Sequence, residues 1–172
     1  MSATPKLSKR EVLSIGRHVM EAHGFGHLEL ELMRSRTYLG QCEFRHYNQA
    51  KKRWEASKIR LSESLCYTTP EEVRETTLHE LAHAVAGHEA AHGPRWKAAA
   101  LKLGAVPRRC ASLGARVNES INLVMAKYVA TCNDCGEAHY FDKLTKVWKR
   151  NGYRCRKCKG QFTIKLNNKR NL

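Results

Sequence analysis

The sequence has no long apolar run, and this limits the kind of protein that it can encode. In 172 residues no segment approaches the roughly 18–20 apolar residues of a membrane span, so we expect no contact with a membrane. Residues 1–10 contain no apolar stretch of the secretory type, so we predict an intracellular protein. The expected compartment is the nucleus for a eukaryotic source, or the cytoplasm and nucleoid for a bacterial or phage source. There are only 11 glycines and 4 prolines, too few for a collagen-like or low-complexity chain.

Acidic residues are also scarce relative to basic ones. Lysine and arginine number 31 against 16 aspartates and glutamates, which gives a net charge of +15 and indicates a polyanionic partner. Residues 127–172 hold 12 basic residues, 3 acidic residues and four of the seven cysteines, so we predict two domains, 1–126 and 127–172. In a reducing compartment we expect the cysteines to bind metal or stay free rather than form disulfides. We expect a monomer.

Capping signals predict the helices of the first domain. Ser8 and Glu11 form a capping box, which predicts a helix that ends near Gly24. Thr69 followed by Pro70 predicts a second helix that runs to about 87–90, and a third is expected at about 94–103. Residues 117–125 are a further helical candidate within an ambiguous stretch.

Alternating apolar residues predict a small sheet between the first two helices. Residues 28–32 alternate leucine and glutamate, and two more strands are expected near 37–48 and 56–62. We interpret them as a three-stranded antiparallel sheet, with Gly40 as a candidate bulge. The basic run Lys51-Lys52-Arg53 is interpreted as the tip of a hairpin rather than as a DNA contact. With the helices, this predicts an α+β fold.

The segment His79-Glu80-Leu81-Ala82-His83 is an H-E-x-x-H motif in the middle of the second predicted helix. Residues four apart lie on one face of a helix, so both imidazoles can reach one Zn²⁺ ion. Glu80 lies beside them, where a general base could take a proton from a zinc-bound water. The alternative is a helix that carries two histidines without a metal.

A catalytic zinc site needs a third protein ligand. The metzincin pattern would need glycine and histidine where this chain has Ala86 and Glu89, and no acid occurs between Glu89 and Glu119. His88 and His92 remain. We favour His92, because it precedes Gly93-Pro94, where the chain can turn back, and a continued helix would direct His88 away.

Cys132, Cys135, Cys155 and Cys158 form two C-x2-C pairs with the spacing of a structural zinc ribbon. Basic and aromatic residues are interleaved around them, a composition that suits a phosphate backbone and stacked bases. We assign Phe141 and Phe162 to the ribbon core. The predicted nucleic-acid contacts are Trp148, Lys146, Lys149, Arg150, Arg154, Arg156 and Lys157. Cys42, Cys66 and Cys110 have no ligand spacing and are interpreted as buried thiols.

Three segments, IRLSESL at 59–65, TLHELAH at 77–83 and HGPRW at 92–96, resemble the SprT-like family, which includes bacterial SprT proteins and eukaryotic Spartan proteases. The resemblance continues into the cysteine ribbon. It implies a zincin-like metalloprotease core in which His79, His83 and His92 bind zinc and Glu80 is the catalytic base. Spartan-type members are DNA-dependent proteases that cut proteins crosslinked to DNA.

We therefore expect a zinc-dependent endopeptidase that cleaves DNA-bound or DNA-crosslinked proteins, as in crosslink repair. Two zinc ions are expected, one catalytic and one structural. The expected partners are DNA, with single-stranded or junction-containing DNA favoured, and protein substrates bound to it. One alternative is a non-enzymatic zinc-ribbon protein that binds DNA, for example in transcription. A second is a zinc hydrolase that acts on a non-peptide bond.

Overall fold

A computed structural model describes residues 6–108 and 121–168 of the chain. The described residues fall into two compact units, one within 4–113 and the other within 114–172. Both units combine helical segments with a three-stranded sheet, which confirms the predicted α+β class. Among the described residues, none of the helices combines the length and the hydrophobicity that a membrane span requires.

The first helix, α1 (Lys9–Ala22), begins at the predicted capping box. The Ser8 side chain accepts a hydrogen bond from the Glu11 backbone N–H, and the Glu11 carboxylate accepts one from the Ser8 backbone N–H. Val12, Val19 and Met20 are buried on one face, as the helical spacing requires. This face packs into the core of the first unit.

The sheet of the first unit contains β1 (Glu29–Met33), β2 (Gly40–Asn48) and β3 (Arg53–Ser62) in the order β1-β3-β2. β2 and β3 are antiparallel, as predicted, whereas β1 and β3 are parallel. The expectation of a wholly antiparallel sheet is therefore wrong for this pair. Alternation of apolar residues reports which side chains are buried but carries no information on strand order. Here β3, the last of the three strands in sequence, lies between β1 and β2 and not at the edge of the sheet.

Two features of the β2–β3 hairpin bear on the sequence predictions. The segment Lys51-Lys52-Arg53 lies at the turn and at the start of β3, so it is at the hairpin tip as predicted. The irregularities of β2 occur between Glu43 and His46. The bulge is therefore not at Gly40, which is the first residue of the strand and approaches a helix instead.

Helix α2 (Pro70–Ala86) carries the H-E-x-x-H segment across the inner face of this unit. Thr69 and Glu72 form the predicted capping box, and Pro70 occupies the first helical turn. A short 3-10 helix, His88–Ala90, follows, and α3 (Pro94–Lys102) begins after Gly93. Another 3-10 helix, Glu63–Tyr67, joins β3 to α2. The buried side chains of all these elements form one core.

The second unit is built on an antiparallel sheet with β4 (Tyr128–Cys132) in the centre, flanked by β5 (Ala138–Phe141) and β6 (Phe162–Leu166). Residues 121–125 are helical and form α4, and Lys146–Lys149 form the short helix α5. The Asn167 side-chain amide donates to the carbonyls of Leu123 and Ala126 at 2.8 and 3.0 Å, which attaches α4 to the sheet. The domain boundary near residue 127 stays a prediction, and residues 117–120 of the predicted helix lie outside the described residues.

Candidate active site and metal centres

Three histidine side chains converge at the surface of α2. The Nε2 atom of His92 lies 3.0 Å from Nε2 of His79 and 3.2 Å from Nε2 of His83. A tetrahedral zinc ion with bonds of about 2.0–2.1 Å separates its nitrogen ligands by about 3.3 Å. The three nitrogens are thus spaced as ligands of one such ion, and they form one of two candidate metal clusters in the described residues.

The backbone after α2 explains why His92 joins this cluster. His79 and His83 are one helical turn apart, and the helix ends at Ala86 because Gly87 adopts a φ of 89°. Ala91 also has a positive φ, 43°, so the chain reverses just before His92. His88 does not reach the cluster; its ring packs edge to face against Phe44, with centroids 5.4 Å apart.

The Trp96 ring packs against all three imidazoles of the histidine cluster, a role that the sequence patterns did not reveal. Its side chain is fully buried, and its ring centroid lies 4.7 Å from those of His79 and His92 and 5.5 Å from that of His83. Its indole N–H donates to the His79 backbone carbonyl at 3.4 Å. The ring therefore fixes the orientation of the imidazoles and excludes water from one side of them. The only available signal was the tryptophan at the end of the HGPRW segment.

The surroundings keep the imidazoles of His79 and His83 neutral. Burial lowers the pKa of His79 to about 4, with a further lowering by His92. Burial also lowers the pKa of His83 to about 4, and the charges of His79 and His92 act in the same direction. A neutral imidazole is the form that binds a metal, so the site is prepared for a cation at neutral pH.

Glu80 lies next to the cluster and is only 6% exposed. Its carboxylate accepts a hydrogen bond from the backbone N–H of Cys42 on β2. It also lies against Gly40, where an added Cβ atom would be 2.6 Å from the Glu80 Oε1 atom. Burial raises the pKa of Glu80 to about 8, and the Cys42 N–H opposes this shift.

A cleft of about 660 Å³ opens over the histidines and Glu80. The first residues of β2 line one side, and β2 is an edge strand whose only partner in the described chain is β3. Tyr38 and Val106, 68% and 48% exposed, contribute apolar surface to the lining. The Glu75 carboxylate accepts a hydrogen bond from the Val106 backbone N–H at 3.1 Å, which holds the segment after α3 at the cleft.

The four ribbon cysteines form the second candidate metal cluster. Sγ of Cys132 lies 3.4 Å from Sγ of Cys158, and Sγ of Cys135 lies 3.6 Å from Sγ of Cys155. Backbone N–H groups, led by that of Cys135, lower the pKa of Cys132 to about 7. The pKa of Cys158 instead rises to about 12, because the lowering by the Gly160 N–H is outweighed by hydrogen bonds with the other thiols. Cys132 is therefore the first of the two to become a thiolate. All four ligand atoms lie within 4.8 Å of one another, and four thiolates at this spacing fit a structural zinc site.

The remaining cysteines do not join either cluster in the described residues. Cys66 is buried, as predicted, and Cys42 is half-buried at the cleft. Burial, and then the charge of Glu80, raises the pKa of the Cys42 thiol to about 12. Cys110 lies outside the described residues.

The aromatic residues of the ribbon form a continuous cluster. The Trp148 ring stacks on Phe141, with centroids 4.8 Å apart and planes inclined by 5°, and its centroid is 4.4 Å from that of Tyr153. Phe162 is 3% exposed, in agreement with its assignment to the core, and Phe141 packs against that core. Trp148 is half-buried within this cluster. Its stacking on a nucleic-acid base stays a prediction.

The basic residues predicted to contact nucleic acid all lie at the surface of the second unit. Each is exposed, and none forms an ion pair with another described residue: Lys146, Lys149, Arg150, Arg154, Arg156 and Lys157. The structure thus leaves their charges available to an anion.

An H-E-x-x-H helix whose histidines meet a third histidine is a site of the zinc metallopeptidase type. Comparison with protein families agrees with this class, because the model of the SprT-like family matches residues 12–119, more than half of the chain. The chain therefore belongs to the SprT-like family, a family of zinc metallopeptidase type. The match ends before the four cysteines, and no curated protein matches the chain. Both clusters fit zinc, since imidazole and thiolate are its usual ligands.

Proposed function

We propose that this protein is a zinc-dependent endopeptidase that cleaves proteins bound or crosslinked to DNA. The observation that carries the proposal is the convergence of the three histidine Nε2 atoms beside the buried Glu80 carboxylate, at the floor of a cleft. A structural histidine cluster would need neither an adjacent buried carboxylate nor an open cleft. One zinc ion at the histidines would be catalytic, and one at the cysteines structural.

His79, His83 and His92 would hold the catalytic zinc ion, which would supply Lewis acidity to polarise a peptide carbonyl and to lower the pKa of water to about 7. A cation held by the histidines would lower the pKa of Glu80 from the value of about 8 that burial gives it, and the ionised carboxylate acts as the general base. One of its carboxylate oxygens takes the proton from the attacking water and returns it to the leaving amine nitrogen as the C–N bond breaks. The hydrogen bond from the Cys42 N–H orients the carboxylate for this transfer.

The edge strand β2 is suited to hold the substrate. Gly40, Cys42 and Phe44 line the cleft, and the side of β2 away from β3 has no strand partner in the described chain. An extended polypeptide can pair with such an edge through main-chain hydrogen bonds, which do not depend on its sequence. We therefore propose low sequence specificity, with apolar contacts to Tyr38 and Val106.

DNA dependence is the part of the proposal that depends on the ribbon. Residues 127–172 carry 12 basic and 3 acidic residues, and the six basic candidates are exposed. Such a surface can neutralise phosphates and release counterions. Binding to DNA would raise the local concentration of proteins on the same DNA, so proximity rather than sequence would select the substrate.

The test is a gel assay of the zinc-loaded protein against a basic DNA-binding protein, with no DNA, single-stranded DNA or duplex DNA. The Glu80→Gln variant is expected to keep its fold and zinc but to lose about 100-fold or more of the activity, because removal of a general base has this effect. Glu71→Gln is the matched control, since Glu71 is an exposed glutamate on the same helix.

The outcomes separate the parts of the proposal. Cleavage that requires DNA and disappears only in Glu80→Gln supports all of it. Cleavage without DNA would support the protease activity but contradict its dependence on DNA. Normal cleavage by Glu80→Gln would contradict the role of Glu80 as the general base. DNA binding without cleavage in any lane would favour the non-enzymatic DNA-binding alternative.

A further inference from the structure

The tip of the β2–β3 hairpin carries an exposed aromatic pair that the proposed catalytic site does not use. Tyr47 and Trp54 are direct cross-strand partners, and their rings meet edge to face with centroids 5.6 Å apart. The two residues remain 44% and 41% exposed. A cross-strand contact stabilises a hairpin, but it does not require this much aromatic surface to face water.

The same tip is strongly basic. Residues 45–54 contain four basic residues and no acid: Arg45, Lys51, Lys52 and Arg53. Acids on the adjoining strand segments pair with two of them, Glu43 with Arg45 at 3.4 Å and Glu55 with Lys51 at 2.8 Å.

The other two basic residues form no direct ion pair within the described chain, although Arg53, after Lys51 and Asn48, helps to lower the pKa of Glu55. No ion pair is found there for Lys52 or Arg53. The ion pair of Arg45 is the longer of the two that Glu43 forms, because Glu43 lies 3.4 Å from Arg45 and 3.0 Å from Arg60. A phosphate could therefore replace Glu43 at Arg45 and leave that carboxylate paired.

We infer that this hairpin tip, residues 45–54, binds single-stranded nucleic acid. Bases stack on the exposed rings of Tyr47 and Trp54, and phosphates contact Lys52 and Arg53. This adds a DNA contact to the segment Lys51-Lys52-Arg53, for which the sequence alone favoured a hairpin tip without one. Aromatic rings next to cations form the usual platform for unpaired bases, and every base offers a face for stacking. The inference deepens the proposed DNA dependence and rests on it, because it adds a contact on the unit that carries the histidine cluster.

The chemistry of the tip favours this partner over the two nearest alternatives. Bases in a duplex already stack on their neighbours. The exposed rings of the hairpin could stack on them only if the base pairs were first separated, which costs free energy. A lipid surface would require an apolar tip, whereas the turn residues are Gln49, Ala50, Lys51 and Lys52.

The test measures binding of a fluorescein-labelled oligothymidylate of about 20 nucleotides to the full zinc-loaded chain, by fluorescence anisotropy at several salt concentrations. Trp54→Ala is expected to weaken binding about five- to a hundredfold, the range for loss of one stacked base. Lys52→Ala should reduce the salt slope by about one phosphate contact. Lys102→Ala, which removes an exposed lysine at the end of α3, is the matched control and should change neither quantity.

A second variant shows whether a loss of binding in Trp54→Ala comes from the lost ring or from misfolding of the hairpin. Trp54→Phe keeps a stacking ring but removes the indole, so its affinity should stay within about threefold of the wild type. Quenching of tryptophan fluorescence by the oligonucleotide should be smaller in this variant, because part of the wild-type quenching comes from Trp54 itself.

The results distinguish this inference from the proposed function. If Arg150→Ala and Arg154→Ala weaken binding but Trp54→Ala does not, the hairpin inference is wrong and the ribbon proposal stands. If Trp54→Ala weakens binding but Arg150→Ala and Arg154→Ala do not, the proposal that the ribbon binds DNA is wrong and the hairpin inference is supported. If polyglutamate quenches Trp54 and oligothymidylate does not, the surface binds an acidic polypeptide and the inference is overturned. Absence of any DNA binding overturns both.

Discussion

The Glu80 carboxylate lies directly against the backbone of Gly40, so that a Cβ atom at position 40 would be 2.6 Å from Oε1 and 2.9 Å from Cδ. Any side chain at this position would have to displace the carboxylate. Because the neighbouring Cys42 N–H binds the same carboxylate, the start of β2 forms a backbone cradle for the proposed base. The absence of a side chain at position 40 is thus part of how Glu80 is positioned.

Gly40→Ala is expected to lower kcat at least tenfold and to change KM and zinc content little. The new methyl group meets the flexible end of Glu80 rather than backbone, so the carboxylate should move while the fold persists. Steady-state kinetics with a fluorogenic peptide and metal analysis check this. A variant that loses zinc in proportion to activity would contradict the explanation.

A double-mutant cycle tests the same contact without activity. Gly40→Ala should lower the free energy of unfolding by about 1–2 kcal/mol when Glu80 is present, because of overpacking. In a Glu80→Ala background the space is free, so the same substitution should have little effect or stabilise the strand. Urea unfolding of the four proteins gives the coupling. Equal effects in both backgrounds would mean that the glycine serves the strand alone.

Metal analysis should distinguish the two clusters. We expect two zinc ions per wild-type chain, one in His92→Ala and one in Cys155→Ser, because each substitution removes one ligand of a separate set. Only Cys155→Ser should also disturb the ribbon, where Cys155 is fully buried. Mass spectrometry of the native protein measures both numbers. Loss of both ions in either variant would show that the sites are coupled.

The outer face of the first sheet should contribute a pH-dependent part of the stability. A hydrogen bond from Lys58 lowers the pKa of Glu31 below its ordinary value of 4.5. Ionised Glu31 therefore stabilises the folded state above pH 4.5, and this contribution is lost as the pH falls through the lowered pKa. Glu31→Gln should lower Tm at pH 7 and converge with the wild type in acid. Glu21→Gln, at an exposed glutamate near the end of α1 with no ion pair among the described residues, is the control and should not lower Tm, and a difference for Glu31→Gln that persists in acid would contradict this account.

Trp148→Ala should destabilise the ribbon by about 2 kcal/mol, less than the 3–5 kcal/mol of a fully buried tryptophan. The reason is its contact with Phe141 and Tyr153 on two sides. Zinc release during urea unfolding, followed with a chromogenic chelator, measures the effect, and Trp148→Phe should lose less. Unchanged stability with a loss of DNA binding would instead support the surface role predicted from the sequence.

Local signals predicted much of the fold, and contacts distant in sequence account for what was missed. The caps at Ser8 and Thr69 depend on residues three positions away, so the helix starts could be identified from the sequence alone. The position of β3 between its neighbours depends on the whole sheet, and no local pattern encodes it.

In the candidate site, too, features set by nearby residues were predictable, whereas contacts between residues distant in sequence were not. Spacing and the turn at Gly93 were enough to select His92 over His88, because both lie close to the helix in sequence. The contact between Gly40 and Glu80 joins a strand to a helix that is forty residues away in sequence, so no local pattern predicts it, and a glycine within a strand pattern indicates a bulge instead. Likewise, no local pattern indicates that Trp148 packs against Tyr153 and Phe162, and its contact with a nucleic-acid base stays a prediction.

The position of His92 after α2 has a consequence for the order in which the site can assemble. His79 and His92 are 13 residues apart, and a loop of this length closes at a small entropic cost. The ligand set can therefore form from α2 and the following turn alone, without the sheet. The cradle of Glu80 comes from β2, about forty residues upstream, and forms only when the sheet docks on the helix. We therefore expect metal capture and alignment of the base to be separable during folding, so that a chain whose sheet has not yet docked on α2 would hold its metal while its carboxylate is unaligned.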